Sequence, residues 1–95
     1  MKKLYERVVC ADGFSVSIQA NRYSYCEPKQ DICDEGYTSV ELGFPSRPCP
    51  FIMDYAETSE DLTGSVYGYV PANVVRKMIE AHGGPIKGEC PPLAR

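Results

Sequence analysis

The sequence predicts an α+β fold, in which a four- to five-stranded antiparallel sheet carries one C-terminal helix packed on one face. Three observations lead to this prediction. A single segment, residues 67–84, has the periodicity of an amphipathic helix. Several earlier segments alternate apolar and polar residues, which is the pattern of half-buried strands. Most connections between these segments are short, and short connections favour antiparallel neighbours.

The helix is predicted between Pro71 and the glycine pair Gly83-Gly84. Proline suits a first helical position, because its φ is already helical and its missing N–H would have no intrahelical partner there. Glycine ends a helix because it takes the left-handed cap conformation without strain. Apolar residues recur between these ends at steps of three and four, at Val74, Val75, Met78, Ile79 and His82. The helix residues expected to contact the sheet are Val74, Met78 and Ile79, and the expected sheet residues are Phe14, Val16, Ile18, Val40 and Leu42.

Five segments are predicted as strands: residues 5–10, 14–20, 37–44, 51–55 and 65–70. The first two form a hairpin, because Ala11-Asp12-Gly13 between them is a turn sequence in which glycine can take a positive φ. The second strand alternates strictly, so one of its faces is apolar and the other is polar. The third strand is expected to place Phe44 on its apolar face.

Residues 1–84 are predicted to form a single α+β domain, followed by a flexible C-terminal tail at residues 85–95. The tail sequence, PIKGECPPLAR, is rich in proline and glycine and offers few apolar groups to bury. Residues 21–36 are polar and aperiodic, and they are predicted to form a long loop. Long loops in compact domains are usually functional or mobile, so this loop is a candidate binding element; a tolerated surface insertion is the alternative.

Charge is distributed unevenly along the 95 residues, whose net charge is −3. Residues 27–61 hold nine acids against Lys29 and Arg47, a net charge of −7, while the segments on either side each carry +2. The acidic middle argues against direct binding of nucleic acid, which needs a basic face. It suits a basic partner, although a solvated acidic surface would have the same composition. No run predicts a membrane span or a secretory signal, so the expected location is the cytoplasm.

The cysteines and the single histidine do not predict a catalytic or a metal site. Five cysteines without a signal sequence indicate free thiols, and none are spaced like zinc-ligand pairs. The fold can still bring Cys26, Cys33 and Cys49 together around a metal ion, so this alternative stays open. His82 lies on the apolar stripe beside the helix end, which is a structural position more often than a catalytic one. Without a nucleophile elbow, an HExxH motif or a phosphate-binding glycine loop, we expect a protein that is not an enzyme and uses no cofactor.

The candidate partner-binding residues lie on two acidic loops and on the last predicted strand. The long loop contributes Asp31, Asp34 and Glu35, and a second acidic loop contributes Glu57, Glu60 and Asp61. All six are expected to be exposed and available to basic groups. The last strand contributes Tyr67 and Tyr69. On the polar sheet face, tyrosines bring contact area and a hydroxyl to interfaces; simple cross-strand packing is the alternative.

Three blocks of the chain resemble a family of small proteins from tailed bacteriophages: VVCADGFSVSIQANRYSYCEP, YTSVELGFPS and VYGYVPANVVRKMIEAHGG. The resemblance covers most of the chain and includes no catalytic motif. It implies a phage accessory protein that acts in the cytoplasm of an infected bacterium. Small acidic phage proteins of this size include inhibitors of host defence, among them anti-CRISPR proteins, which bind a host protein or a ribonucleoprotein defence complex.

The first functional hypothesis is therefore a non-enzymatic phage inhibitor whose acidic surface blocks a basic nucleic-acid-binding site. One alternative is a small structural or regulatory phage protein that self-associates through an exposed strand edge. The other alternative is a metal-binding domain built on the cysteines, in which a structural site should be nearly filled with metal.

Overall fold

Five strands and one α-helix make up residues 4–95, the part of the chain that this computed structural model describes. The strands are β1 (Val8–Cys10), β2 (Ser15–Gln19), β3 (Ser39–Gly43), β4 (Val66–Pro71) and β5 (Pro85–Lys87). Helix α1 (Ala72–Ala81) follows β4 directly, and a 3₁₀ helix (Met53–Tyr55) lies between β3 and β4. The order across the sheet is β4-β3-β2-β1-β5, with antiparallel neighbours throughout. This architecture confirms the predicted α+β fold.

The core lies between α1 and one face of the sheet. Strand alternation buries Val16 and Ile18 of β2 and leaves the serines beside them partly exposed. Helix α1 buries Val75 and Met78, while Val74 is half-buried at the margin of the core. All three helix residues expected to contact the sheet pack against the core cluster: Met78 is fully buried, and Val74 and Ile79 are partly buried. The sheet residues expected beneath the helix all belong to the same buried cluster as Met78: Phe14, Val16, Ile18, Val40 and Leu42.

Both ends of α1 follow from the local sequence. Pro71 closes β4 and caps the helix with a φ of −58° and a ψ of 146°, so α1 begins one residue later than predicted. Gly83 and Gly84 follow the helix with φ values of 92° and 87°. The Gly84 N–H donates to the Ile79 carbonyl oxygen at 2.9 Å, which satisfies a carbonyl group of the last turn. A side chain at either glycine would be strained in this left-handed conformation.

A β-bulge in β4 decides which of its residues face the core. Pairing with β3 is shifted so that one residue, Glu41, lies opposite two residues, Gly68 and Tyr69. Tyr69 accommodates the extra residue by taking a φ of 53°. As a result Tyr67 and Val70, three positions apart, are both fully buried.

Two predicted strand features differ from the structure. Residues 51–55, predicted as a strand, contain the 3₁₀ helix, because the Tyr55 N–H donates locally to the Ile52 carbonyl oxygen at 3.0 Å and not to a neighbouring strand. Phe44, expected on the apolar face of the third strand, is 52% exposed. Its φ of 52° turns the side chain away from the core, and its carbonyl oxygen accepts a hydrogen bond from the Arg7 guanidinium.

Residues 85–95, predicted as a flexible tail, lie against the sheet and the core in the structure. Strand β5 pairs with β1, and residues 88–95, here called the strap, continue from it until Leu93 pairs with Tyr37. Pro91 is buried, and Cys90 and Leu93 pack against the core cluster. The few apolar residues of this segment are enough to hold it, because they face the core and not water.

The described residues form a compact body. Their radius of gyration is 12.1 Å, close to the roughly 12 Å expected for a folded domain of this length. Helix α1 spans ten residues. Nowhere between residues 4 and 95 is a helix both long and apolar enough to cross a membrane.

Candidate functional site

The two acidic loops lie at opposite ends of the β3–β4 pair. The long loop leads into Ser39 at the start of β3, and the second acidic loop leads into Val66 at the start of β4. Because the two strands are antiparallel, their starts are far apart: Ser39 lies opposite Pro71, and Gly43 lies opposite Val66. The structure therefore does not bring the six acidic candidates together into one patch.

Asp31 is bound within the long loop and is not presented freely to solvent. Its Oδ1 accepts a hydrogen bond from the Arg22 backbone N–H at 3.1 Å, and its Oδ2 pairs with Arg22 Nε at 3.1 Å. The backbone hydrogen bond is the main cause that lowers the pKa of Asp31. The expectation that all six acids are free is corrected at this residue, whose side chain is 16% exposed. Asp34 and Glu35 are exposed as expected.

The second acidic loop presents its carboxylates to solvent. Glu57, Glu60 and Asp61 are exposed, and so is Asp54 just before them, which sequence reasoning did not include. Residues 48–75 contain no lysine or arginine. Within the described range, 4–95, none of the four carboxylates takes part in an ion pair. Residues 54–61, here called the acidic segment, therefore carry uncompensated negative charge.

Backbone hydrogen bonds fix the acidic segment and the turn that follows it. The Glu57 N–H donates to the Val66 carbonyl oxygen at 2.9 Å, which holds the segment beside the outer edge of β4. The Gly64 N–H donates to Asp61 Oδ1 at 3.1 Å and closes the turn before β4. The carboxylates are thus presented by an ordered backbone.

Tyr67 lies in the core and not on the polar sheet face, so the alternative of packing within the sheet applies to it. Strict alternation from Val70 would place Tyr67 on the opposite face, and the extra residue of the bulge returns it to the core. Its hydroxyl donates to the Leu62 carbonyl oxygen, and burial raises the pKa of Tyr67. The residue therefore supports the loop after the acidic segment and is not itself a contact surface.

Tyr69 is exposed and forms an aromatic surface with Tyr25 and Lys29. The two tyrosines are 44% and 43% exposed, with ring centroids 5.9 Å apart. Lys29 Nζ lies 5.8 Å and 5.7 Å from their centroids. The Tyr69 N–H donates to the Tyr25 carbonyl oxygen at 3.0 Å, and the Tyr25 N–H donates to the Glu41 carboxylate at 3.2 Å. Sequence reasoning missed Tyr25 and Lys29 as members, because their proximity depends on how the long loop folds back onto β4.

Both edges of the sheet are blunted against pairing with another strand. The outer edge of β4 is covered by the hydrogen bonds that Tyr69 and Val66 make with Tyr25 and Glu57. Strand β5 at the other edge is three residues long, begins with a proline that has no N–H and ends with a lysine. These features give little support to self-association through an exposed strand edge.

The single histidine holds the end of α1 against the β1–β2 turn. The His82 ring stacks on Phe14 with centroids 3.9 Å apart, and its Nδ1 lies 2.7 Å from Asp12 Oδ2. The same carboxylate oxygen accepts a hydrogen bond from the Arg47 guanidinium at 2.8 Å. The imidazole ring is thus held by the contact of its Nδ1 with Asp12 and by the stacking of one ring face on Phe14. This is the structural role that its place on the helix indicated.

The cysteines do not converge on a shared site in the part of the chain that the structure describes. The Cys26 thiol donates to the Asn21 carbonyl oxygen at 3.2 Å, and the Cys33 thiol donates to the Gly36 carbonyl oxygen at 3.3 Å. Cys49 is buried as a free thiol. Among residues 4–95, no three cysteine, histidine, aspartate or glutamate side chains are placed to hold one ion. The metal-binding alternative therefore has no ligand set here.

Comparisons with known proteins do not place the chain in a family: no protein-family model, no curated protein and no solved structure gives a significant match. Two of the surfaces described above remain as candidates for contact with a partner. They are the acidic segment and the tyrosine surface formed by Tyr25, Tyr69 and Lys29.

Proposed function

We propose that this protein is a phage-encoded, non-enzymatic inhibitor that binds and blocks a host antiviral defence complex. The observation that supports the proposal is the acidic segment, where four exposed carboxylates lie in a stretch without basic residues. Its partner surface is a basic nucleic-acid-binding site of that complex. The lysines and arginines that would otherwise bind phosphates are met there by carboxylates. The inhibitor acts in the cytoplasm of the infected bacterium.

Electrostatics favours the acidic segment over the long loop as the contact. In the long loop, Asp31 is paired with Arg22, and Lys29 lies nearby on the tyrosine rings. The acidic segment has no such counter-charge, since residues 48–75 lack lysine and arginine. Exposed charges of one sign raise the rate at which an oppositely charged partner associates, and they oppose partners of like charge.

Apolar side chains beside the acidic segment supply contact area. Phe51 and Met53 are 46% and 42% exposed, and they directly precede Asp54. Aromatic residues and methionine are enriched in protein interfaces, where they fill the centre of the contact, while charged groups lie at its rim. Residues 51–61 therefore combine an apolar contact with an acidic rim.

Charge reversal in the acidic segment tests the proposal. We expect a variant with Glu57→Lys and Glu60→Lys to lose inhibition, because its lysines would repel the basic site. The measurement is plaque formation by a phage on bacteria that carry CRISPR immunity against it and express the variant. The melting temperature should stay within a few degrees of the parent, since both side chains are exposed.

The matched control makes the same change in net charge at the opposite end of the β3–β4 pair, with Asp34→Lys and Glu35→Lys. This control should retain inhibition if the acidic segment is the contact. Loss in the control alone would move the contact to the long loop. If both variants protect the phage as well as the parent, the acidic mechanism is wrong, and Tyr25→Ala with Tyr69→Ala becomes the decisive variant. A parent protein that gives no protection would reject inhibition of this CRISPR system.

A further inference from the structure

Besides its apolar side chains, the strap is held by hydrogen bonds to its backbone. The Tyr37 N–H donates to the Pro92 carbonyl oxygen at 2.8 Å, and the Ala94 N–H donates to the Tyr37 carbonyl oxygen at 2.8 Å. The Arg76 guanidinium donates to the Leu93 carbonyl oxygen at 3.0 Å and also to that of Ala94. Hydrogen bonds to main-chain atoms require an extended peptide of the right direction, and they do not depend on which chain supplies it.

The receiving surface is a shaped seat formed by Gly36, Tyr37 and Arg76, here called the strap seat. A Cβ at Gly36 would lie 2.6 Å from the Leu93 carbonyl carbon and from the Ala94 nitrogen, so the strap backbone rests directly on the glycine. Tyr37 is fully buried, and its hydroxyl donates to the Gln30 carbonyl oxygen at 2.6 Å. The hydroxyl of the central residue of the seat is therefore held by a contact that does not involve the strap.

The strap has the properties of a peptide ligand. Leu93 packs against the core cluster, and Pro91 is buried, so the strap carries its own apolar anchor. The adjacent prolines at 91 and 92 restrict the backbone to extended conformations before docking. A segment that is already extended loses less conformational entropy when it binds.

The strap differs from the strands of the sheet in the direction of its pairing. Among the strand pairings found within residues 4–95, that of Tyr37 with Leu93 is the single parallel one. Parallel neighbours cannot be joined by a tight turn, so the strap reaches its seat only through a crossing connection after β5. Gly88, with a φ of 91°, begins that connection. If the connection takes a different conformation, the strap can bind the seat of another chain. Segment exchange of this kind builds dimers.

We propose that the strap seat also accepts the strap of a second copy, so that two chains exchange residues 91–95 and form a symmetric dimer. A second copy is the occupant that fits, because its strap offers the same leucine anchor, the same prolines and the same carbonyl groups for Arg76. In the exchanged dimer, residues 91–95 make the contacts that they make in the monomer. Two chains form one dimer, so the dimer fraction increases with chain concentration.

Two full-length variants with complementary defects test the exchange. Gly36→Val closes the seat and leaves the strap intact, whereas Leu93→Asp disables the strap and leaves the seat intact. Neither variant can fill its own seat or exchange with itself. When the two are mixed, the intact strap of one can enter the intact seat of the other. We expect the equimolar mixture to give a species of twice the monomer mass by light scattering, which is absent from either variant alone.

A control mixture contains no usable seat. Adding Gly36→Val to the Leu93→Asp chain and mixing the product with the Gly36→Val variant should give monomers only. If circular dichroism shows that Gly36→Val does not fold, Arg76→Glu takes its place, because Arg76 is exposed and its replacement weakens the seat without straining the backbone. A mixture of complementary variants that keeps the monomer mass would overturn the proposal.

Discussion

One carboxylate joins three separate parts of the chain. Asp12, in the β1–β2 turn, accepts a hydrogen bond from the Phe14 N–H at 2.9 Å. It also pairs with His82 after α1 and with Arg47 in the connection between β3 and β4. The hydrogen bond to His82 is the main cause that lowers the pKa of Asp12, followed by that from Phe14. Folding therefore favours the charged form of this residue.

We expect stability to fall in acid partly through Asp12. Because its pKa is lower in the folded chain, its contribution is complete above the ordinary aspartate pKa of about 4 and is lost as the pH falls through the lowered value. Asp12→Asn keeps an acceptor for the Phe14 N–H and removes the charge. Its urea midpoint should lie below that of the parent at neutral pH, and the gap should narrow in acid. A gap that stays constant over that titration would contradict the linkage.

At the scale of elements, the parts predictable from sequence were those whose signals lie within the element itself. Helix α1 has its stripe and its end residues in one stretch, and β2 has its own alternation. The bulge of β4 depends on pairing with β3, so the sequence alone could not decide between the two positions considered for Tyr67. The same holds for Asp31, whose exposure depends on Arg22 across the loop, and for β5, whose partner β1 lies at the other end of the sequence. A contact between two residues that are far apart in sequence leaves no periodic pattern in the sequence around either residue.

The packing of α1 predicts a large effect of charge at Met78, which is fully buried. Met78→Asp should lower the free energy of unfolding by at least about 3 kcal/mol, because an unpaired carboxylate would enter the core. Lys77→Asp is the matched control at an exposed neighbouring position, and its effect should stay within about 0.5 kcal/mol. Both are measured by urea denaturation. A Met78→Asp protein as stable as the parent would show that this face of the helix is not buried.

At the scale of the whole molecule, the core is closed by segments far apart in sequence. The acidic surface also depends on how distant segments pair. The two acidic loops belong to one acidic stretch of sequence, residues 27–61, but they lie at opposite ends of the β3–β4 pair. Sequence reasoning predicted that six acidic residues are exposed, and five of them are exposed. It could not show that they form two surfaces, because the antiparallel pairing that separates them is a property of the sheet.

The strap should contribute measurably to global stability. Removing residues 88–95 would uncover the core residues against which Cys90 and Leu93 pack, and we expect the melting temperature to fall by several degrees or more. Each 1 kcal/mol corresponds to about 4–8 °C in a domain of this size. Removal of Arg95 alone, an exposed residue, is the control and should have little effect. Equal melting temperatures of the parent and the longer truncation would show that the strap adds nothing.

The position of β5 beside β1 sets an order of events on the ribosome. Strand β1 is made early, yet its outer neighbour and the strap follow only after residue 85 has been added. At about 5–20 residues per second, synthesis separates the two by several seconds. During that interval β1 has an unpaired edge, and Gly36 and Tyr37 of the strap seat have no strap to bind, while sibling chains grow on the same message. Nascent copies are therefore nearest to one another at the stage when their seats are empty.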